Sequence, residues 1–121
     1  MNRPHFRFQD LEVWQNSCDL AVSCHRIADN LSDRKWFRYA EQLRAAGLSP
    51  SNNIAEGSAS HHEKEFIQFL NIARRSAAEL ASMALTFERM EILEPSAASA
   101  ILELTDKVAR KLTALIRHLS R

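Results

Sequence analysis

The chain has 121 residues, which is enough for one domain with a single core, over residues 1–121. Its formal charge is +1, so the whole chain is not a polycation, and a basic surface can arise only where charge is segregated. Only two glycines and three prolines occur, too few to punctuate the many short strands of an all-β domain. No segment has the roughly 18 uninterrupted apolar residues of a membrane span, and the first eight residues lack the apolar region of a signal peptide. We therefore expect a soluble cytoplasmic protein with no membrane partner.

A first helix is predicted over residues 11–31, with Asp10 as its N-cap. Apolar residues recur at spacings of three and four along two sides of this helix. One seam comprises Leu11, Trp14, Cys18, Ala21, His25 and Ala28, and the other comprises Val13, Leu20, Cys24, Ile27 and Leu31. This apolar arc is wider than one packing partner requires, so part of the helix is expected to meet another subunit.

The two cysteines, Cys18 and Cys24, lie six residues apart on this helix and point in different directions. They cannot form a disulfide with each other, which favours a reducing compartment. Both lie on apolar seams, where thiols are usually unreactive packing residues, so no catalytic role is expected.

A second helix is predicted over residues 35–57, with apolar positions at Trp36, Phe37, Ala40, Leu43, Ala46 and Gly47. Pro50 leaves two alternatives. Either the helix continues with a kink, which we prefer, or it breaks and Ser49 caps a new short helix. The helix is predicted to end at Gly57.

Glu56 lies in the last turn of this helix, where the helix dipole disfavours a negative charge. We expect an arginine or free backbone N–H groups to compensate for it. Glu56 and Asn53 are therefore predicted to be buried at the corner between the second and third helices. A structural motif is the favoured interpretation, and a ligand site is the alternative.

A third helix is predicted over residues 60–91, opened by a capping box between Ser60 and Glu63. Its predicted core seam is Phe66, Leu70, Ala73, Ala77, Leu80, Ala84 and Phe87. A fourth helix over residues 96–120 has the seam Ile101, Thr105, Val108, Leu112, Leu115 and Leu119. Helices joined by short turns pack antiparallel, so the predicted fold is an all-α, up-down-up-down four-helix bundle.

The last 15 residues contain five cations and no Asp or Glu: Lys107, Arg110, Lys111, Arg117 and Arg121. Most of them fall opposite the apolar seam of the fourth helix. A solvated face is one interpretation, and a phosphate-binding surface is the other if the subunit repeats around a ring. Arg74 and Arg75 on the third helix have two interpretations. They extend this basic surface, or they pair with Glu79 at the neighbouring turn.

No constellation for catalysis or for a cofactor is present. His61, His62 and Glu65 are too few for a metal shell, and the exposed first turn of a helix explains them. The sequence also lacks a glycine-rich phosphate loop, a nucleophile elbow and a paired acid cluster. We therefore predict a protein that is not an enzyme and uses neither metal nor cofactor.

Several separated motifs, at residues 8–14, 42–44, 53–57 and 65–74, together with Ser49, resemble the proteins encoded in intervening sequences of bacterial large-subunit ribosomal RNA genes. The resemblance implies a four-helix bundle that assembles as a ring-like homopentamer, with no established enzyme activity. A related branch is the accessory variability protein of diversity-generating retroelements, in which a basic pentamer binds nucleic acid and a reverse transcriptase. This chain has Ala45 where the family commonly has a second arginine, and Arg75 where it commonly has glycine.

The leading hypothesis is a non-enzymatic, homo-oligomeric helical scaffold that binds RNA or DNA through its basic C-terminal helix. The alternative is an adaptor that docks a protein partner and has no nucleic-acid role.

Overall fold

The structure is a computed structural model that describes residues 2–121. A short 3₁₀ turn, Arg7–Asp10, precedes four α-helices, which are α1 (Glu12–Asp33), α2 (Phe37–Ser58), α3 (Glu63–Arg89) and α4 (Pro95–Leu119). The four helices hold more than three quarters of the chain, and no strand occurs within the described residues. Every predicted helix boundary lies within three residues of the observed one.

The four helices form the predicted bundle. Helix α1 packs against α2 and α4, and α3 packs against the same two helices, while no Cα atoms of the diagonal pairs lie within 8 Å of each other. Turns of three to five residues join consecutive helices, so each helix runs antiparallel to the one before it. The all-α, up-down-up-down architecture is therefore confirmed.

The core is built from the predicted seams. All seven seam residues of α3 are buried, as are the first four of α4, and Leu115 and Leu119 are half-buried near its end. On α1 the second seam faces the core, whereas His25 of the first seam is exposed. Burial of each large aliphatic side chain stabilises the fold by about 1.5–3 kcal/mol.

The predicted N-cap of the first helix is wrong. Asp10 lies in the 3₁₀ turn, where its carboxylate accepts a hydrogen bond from His5 Nε2 at 2.9 Å, and Leu11 is the N-cap of α1. Trp36 and Phe37 are 42% and 60% exposed, because the buried face of α2 begins only at Ala40.

Helix α2 continues through Pro50, so the alternative with a break at Ser49 is wrong. Pro50 is buried and has no N–H to donate to the preceding turn. Ser49 instead bonds across the bundle, with its Oγ 2.7 Å from Ser76 Oγ on α3. This hydrogen bond joins α2 to α3 one residue before the proline.

Helices α1 and α3 end in the left-handed backbone region, at Lys35 (φ 67°) and Glu91 (φ 62°). The next N–H in each case closes the helix, since Trp36 donates to the Leu31 carbonyl at 2.8 Å and Ile92 donates to the Phe87 carbonyl at 3.0 Å. This is the Schellman arrangement, which usually has glycine at the left-handed position.

Candidate nucleic-acid interface

A basic strip covers the outer face of α4 and the residues that follow it. We define this strip as Lys107, Arg110, Arg117 and Arg121, together with Arg74 of α3. At about 100° per residue, Lys107, Arg110 and Arg117 lie within about 80° of one another around α4. They are exposed on the side opposite the buried Leu112. Arg121 follows directly after the helix and is also exposed.

Arg74 is held at the edge of this strip by two hydrogen bonds. It donates from Nη2 to Asn71 Oδ1 at 2.7 Å and from Nη1 to Thr113 Oγ1 at 3.3 Å. The Thr113 hydroxyl in turn donates to the Ala109 carbonyl at 3.0 Å. These hydrogen bonds hold the Arg74 guanidinium in place without a ligand, and its other N–H groups remain free to donate.

Thr113 and Asn71 were not among the predicted site residues. Thr113 lies three residues after Arg110 and four before Arg117, a spacing that places it near the strip on the same helix. Its contact with Arg74 bridges 39 residues of sequence, which no local pattern reveals.

Lys111 does not belong to the strip. It lies about 40° around α4 from Lys107 and about 100° from Arg110, on the side that faces α1, and its Nζ pairs with Glu12 Oε1. This hydrogen bond holds the pKa of the Glu12 carboxyl below its ordinary value. Lys111 therefore links α1 to α4, and the Glu12 carboxylate offsets its positive charge.

The strip contains one intramolecular ion pair, between Arg110 Nε and Asp106 Oδ2 at 3.0 Å. Both side chains are largely exposed, so this pair contributes little energy and leaves Arg110 accessible. Among the described residues, no ion pair involves Lys107, Arg117 or Arg121.

Arg75 is exposed, about 100° around α3 from Arg74. Within residues 2–121 it makes no ion pair, so the predicted alternative of pairing with Glu79 is not observed for Arg75 or for Arg74. The two arginines consequently face different directions, and Arg74 alone borders the strip.

The predicted corner motif is different from what we expected. Glu56 is exposed, and within the described chain its carboxylate makes no ion pair, while its backbone carbonyl accepts a hydrogen bond from the Ala59 N–H at 3.2 Å. It follows the buried Ile54 by two residues and so lies on the outward face of α2. Asn53 is half-buried and donates within α2, to the Ser49 carbonyl at 2.8 Å and to Ser49 Oγ at 3.2 Å, the hydroxyl that also bonds Ser76 of α3.

The other corner predictions also need correction. Gly57 lies inside α2 and has no positive φ; a side chain there would place its Cβ 2.6 Å from Phe69 Cβ, so close helix packing requires the glycine. Ser60 and Glu63 form no capping box, because α3 begins at Glu63 with His62 as its N-cap. The Ser60 hydroxyl instead accepts a hydrogen bond from the His62 N–H at 3.1 Å.

The remaining candidates for chemistry are packing or surface residues. Burial raises the pKa of the Cys24 thiol to about 12 and also raises that of Cys18. Within residues 2–121, no group of three or more His, Cys, Asp or Glu side chains is placed to hold a metal ion. None of the described helices combines the length and apolar character needed to cross a membrane.

Comparison with known proteins agrees with the motifs. The family described as 23S rRNA-intervening sequence protein matches residues 9–114. A crystal structure of a protein with unknown function from the S23 ribosomal protein family of Bacteroides thetaiotaomicron has the same fold, with a TM-score of 0.81. The two chains are 25% identical over 86% of this chain and 97% of that one. No curated protein matches the sequence.

Proposed function

The chain belongs to the 23S rRNA-intervening sequence protein family, and we propose that it is a non-enzymatic, homo-oligomeric scaffold that binds RNA or DNA through the basic strip. The observation that supports this proposal is the alignment of Lys107, Arg110 and Arg117 on one exposed face, beside an Arg74 that is already held in place.

Segregation of charge supports the choice of a phosphate ligand. The segment 107–121 has five cations and no carboxylate side chain, although the whole chain has a formal charge of only +1. Arg110 and Arg117 are separated by two helical turns, or about 10 Å. Their planar guanidinium groups match the geometry of phosphate oxygens. Contacts of this kind carry no base specificity, so we expect little sequence preference.

Self-association would multiply this charge. Val22 and Leu48 are 46% and 51% exposed, and with Ala21, His25 and Arg44 they line a cleft of about 270 Å³ between α1 and α2. We propose that this face contributes to contacts between subunits of a ring-like homopentamer, the assembly that the family resemblance implies. Five copies of the strip would then create a positive field that one chain lacks.

The test is binding of single-stranded RNA, double-stranded RNA and duplex DNA over a series of salt concentrations. Affinity should fall as salt rises, and each lost phosphate contact should make the log–log slope shallower by about 0.7–0.9. The double variant Lys107→Glu with Arg117→Glu should nearly abolish binding without changing helical content or oligomer mass. Arg38→Glu is the matched control, because Arg38 is exposed at the opposite end of the bundle.

Two results would contradict this proposal. If Arg38→Glu weakens binding as much as a single reversal in the strip, net charge and not the strip is responsible. If none of the three nucleic acids binds at low salt, the nucleic-acid function is wrong.

The second candidate function is a protein-interaction adaptor, favoured by the exposed Val22 and Leu48 at the α1–α2 cleft. Its partner would be an apolar helix of another protein, such as the reverse transcriptase of the retroelement branch. Apolar docking should depend only weakly on salt, unlike phosphate binding. Leu48→Glu should abolish it while leaving nucleic-acid binding by each subunit intact.

A further inference from the structure

The segment that precedes α1 combines one exposed aromatic ring with basic side chains. Phe6 is 53% exposed, although it is among the largest apolar side chains. Its ring is nearly parallel to that of Phe8, with 5.5 Å between centroids and 9° between planes. Phe8 in turn packs on Trp14 of α1, with 4.9 Å between centroids. The three rings thus form a continuous series that leads from the core to the surface.

These rings line an open cleft of about 620 Å³. Arg3 and His5 line the same cleft, and both side chains are exposed. His5 is paired with Asp10 at 2.9 Å, whereas no ion pair of Arg3 is found within the described chain. The cleft therefore combines aromatic surface with an available guanidinium.

The segment is held in this conformation by contacts within itself and with the bundle. The Phe6 N–H donates to Gln9 Oε1 at 2.7 Å, and Gln15 of α1 donates to the Gln9 carbonyl at 2.7 Å. Arg7 donates to the Ser58 carbonyl at 3.2 Å, and its guanidinium carbon lies 5.4 Å from the centroid of the Phe66 ring. An exposed ring that is already ordered loses little entropy when a ligand stacks on it.

The cleft and the basic strip lie at the same end of the bundle. The Lys111–Glu12 pair joins the start of α1 to the C-terminal half of α4, which carries Arg117 and is followed by Arg121. Leu115 of α4 lines a small cleft with Leu11 and Val13, and these two residues directly follow the aromatic segment in the chain. Trp14 lies about 200° around α1 from Glu12, and the 3₁₀ turn packs against α1 and α2, so the cleft and the strip share an end of the bundle but lie on different sides of it. A strand that binds both has to cross this end of the bundle.

We propose that this cleft holds an unpaired base of a single-stranded nucleic acid, stacked on Phe6, with Arg3 contacting the adjacent phosphate. This inference rests on the proposed nucleic-acid function and narrows its ligand. A duplex keeps its base faces stacked inside the helix, so only a strand with free bases can use the aromatic surface. Stacking on an aromatic ring tolerates any base, which fits the absence of sequence preference expected for the strip.

The test uses the full chain and three ligands of equal length: a single-stranded RNA, an RNA duplex, and a strand in which abasic sites replace the bases. Wild-type protein should bind the single strand more tightly than either of the others. Phe6→Ala should weaken single-strand binding by about 5- to 150-fold, the range for loss of one stacked base. Its duplex affinity and its salt slope should not change, because no phosphate contact is removed.

Two variants provide matched controls. Phe6→Tyr retains an aromatic face and should bind as wild type does. Phe6→Leu retains apolar bulk but no aromatic face, and it should lose most of the preference for the single strand.

Fluorescence provides a second readout. In a Trp36→Phe background, Trp14 is the single tryptophan, and the single-stranded RNA should quench its fluorescence while the abasic strand does not.

Each contrary outcome has a distinct meaning. If Phe6→Ala binds every ligand as wild type does, while the strip variants still lose binding, the cleft inference is wrong and the strip function stands. If wild type binds no ligand at low salt, both proposals fail. If Phe6→Ala lowers the oligomer mass, Phe6 is a contact between subunits, and the inference is wrong.

Discussion

Helices α1 and α2 approach closely at Gly47, and Gly47→Ala tests how tightly the bundle is packed. A Cβ at this position would lie 2.7 Å from Cys24 Cβ, 3.2 Å from Cys24 Sγ and 3.7 Å from Ala21 Cα. Cys24 Cβ is fixed to its own backbone, so it cannot rotate out of the way. The two helices must move apart until the carbon atoms are separated by at least the ordinary 3.4 Å.

Two opposing terms determine the size of the effect. Overpacking of this kind costs about 1–3 kcal/mol, and we expect the upper half of that range because the neighbouring Leu20 and Leu43 also lose contacts as the gap opens. Alanine favours a helix interior over glycine by about 1 kcal/mol, which offsets part of the cost. The free energy of unfolding should therefore decrease by about 1–2 kcal/mol.

The measurement is urea unfolding followed by far-ultraviolet circular dichroism, at a fixed protomer concentration because self-association adds to stability. The matched control is Ala45→Gly, at an exposed position of the same helix, which should decrease stability by about 1 kcal/mol through helix propensity alone. If Gly47→Ala raises the unfolding midpoint, propensity outweighs packing, and the close approach inferred for α1 and α2 is wrong.

Three further predictions concern helix ends, thiols and pH. Glu91→Gly should raise the free energy of unfolding by up to about 1 kcal/mol, because glycine adopts the left-handed backbone without steric cost; an unchanged midpoint would count against this strain. A thiol reagent at pH 8 should modify Cys18 slowly and Cys24 only after denaturation, since the buried Cys24 has a pKa of about 12; rapid reaction of both in the native protein would contradict the burial. Lys111 lowers the pKa of the Glu12 carboxyl in the folded state. Wild type should therefore be more stable than Glu12→Gln at pH 7, and this difference should disappear as the pH falls through the lowered pKa. A difference that persists in acid would refute the pairing.

The sequence alone determined most of the fold. The four-three alternation of Phe66, Leu70 and Ala73 continues without interruption to Phe87, and all these residues face the core. The same period on α4 placed Lys107, Arg110 and Arg117 opposite Leu112. These predictions succeed because the rotation of about 100° per residue is a local property of the helix, so spacing alone assigns residues to a common face.

Only the tertiary structure decided what each face meets. Gly57 was predicted to end a helix, but its conformation is helical, and Phe69 of the neighbouring helix is what requires a glycine there. Lys111 was grouped with the strip, yet it pairs with Glu12, 99 residues away in sequence. The rotation of one helix against another depends on how both side-chain surfaces fit together, so contacts between helices follow from packing and cannot be read from the period of either helix alone.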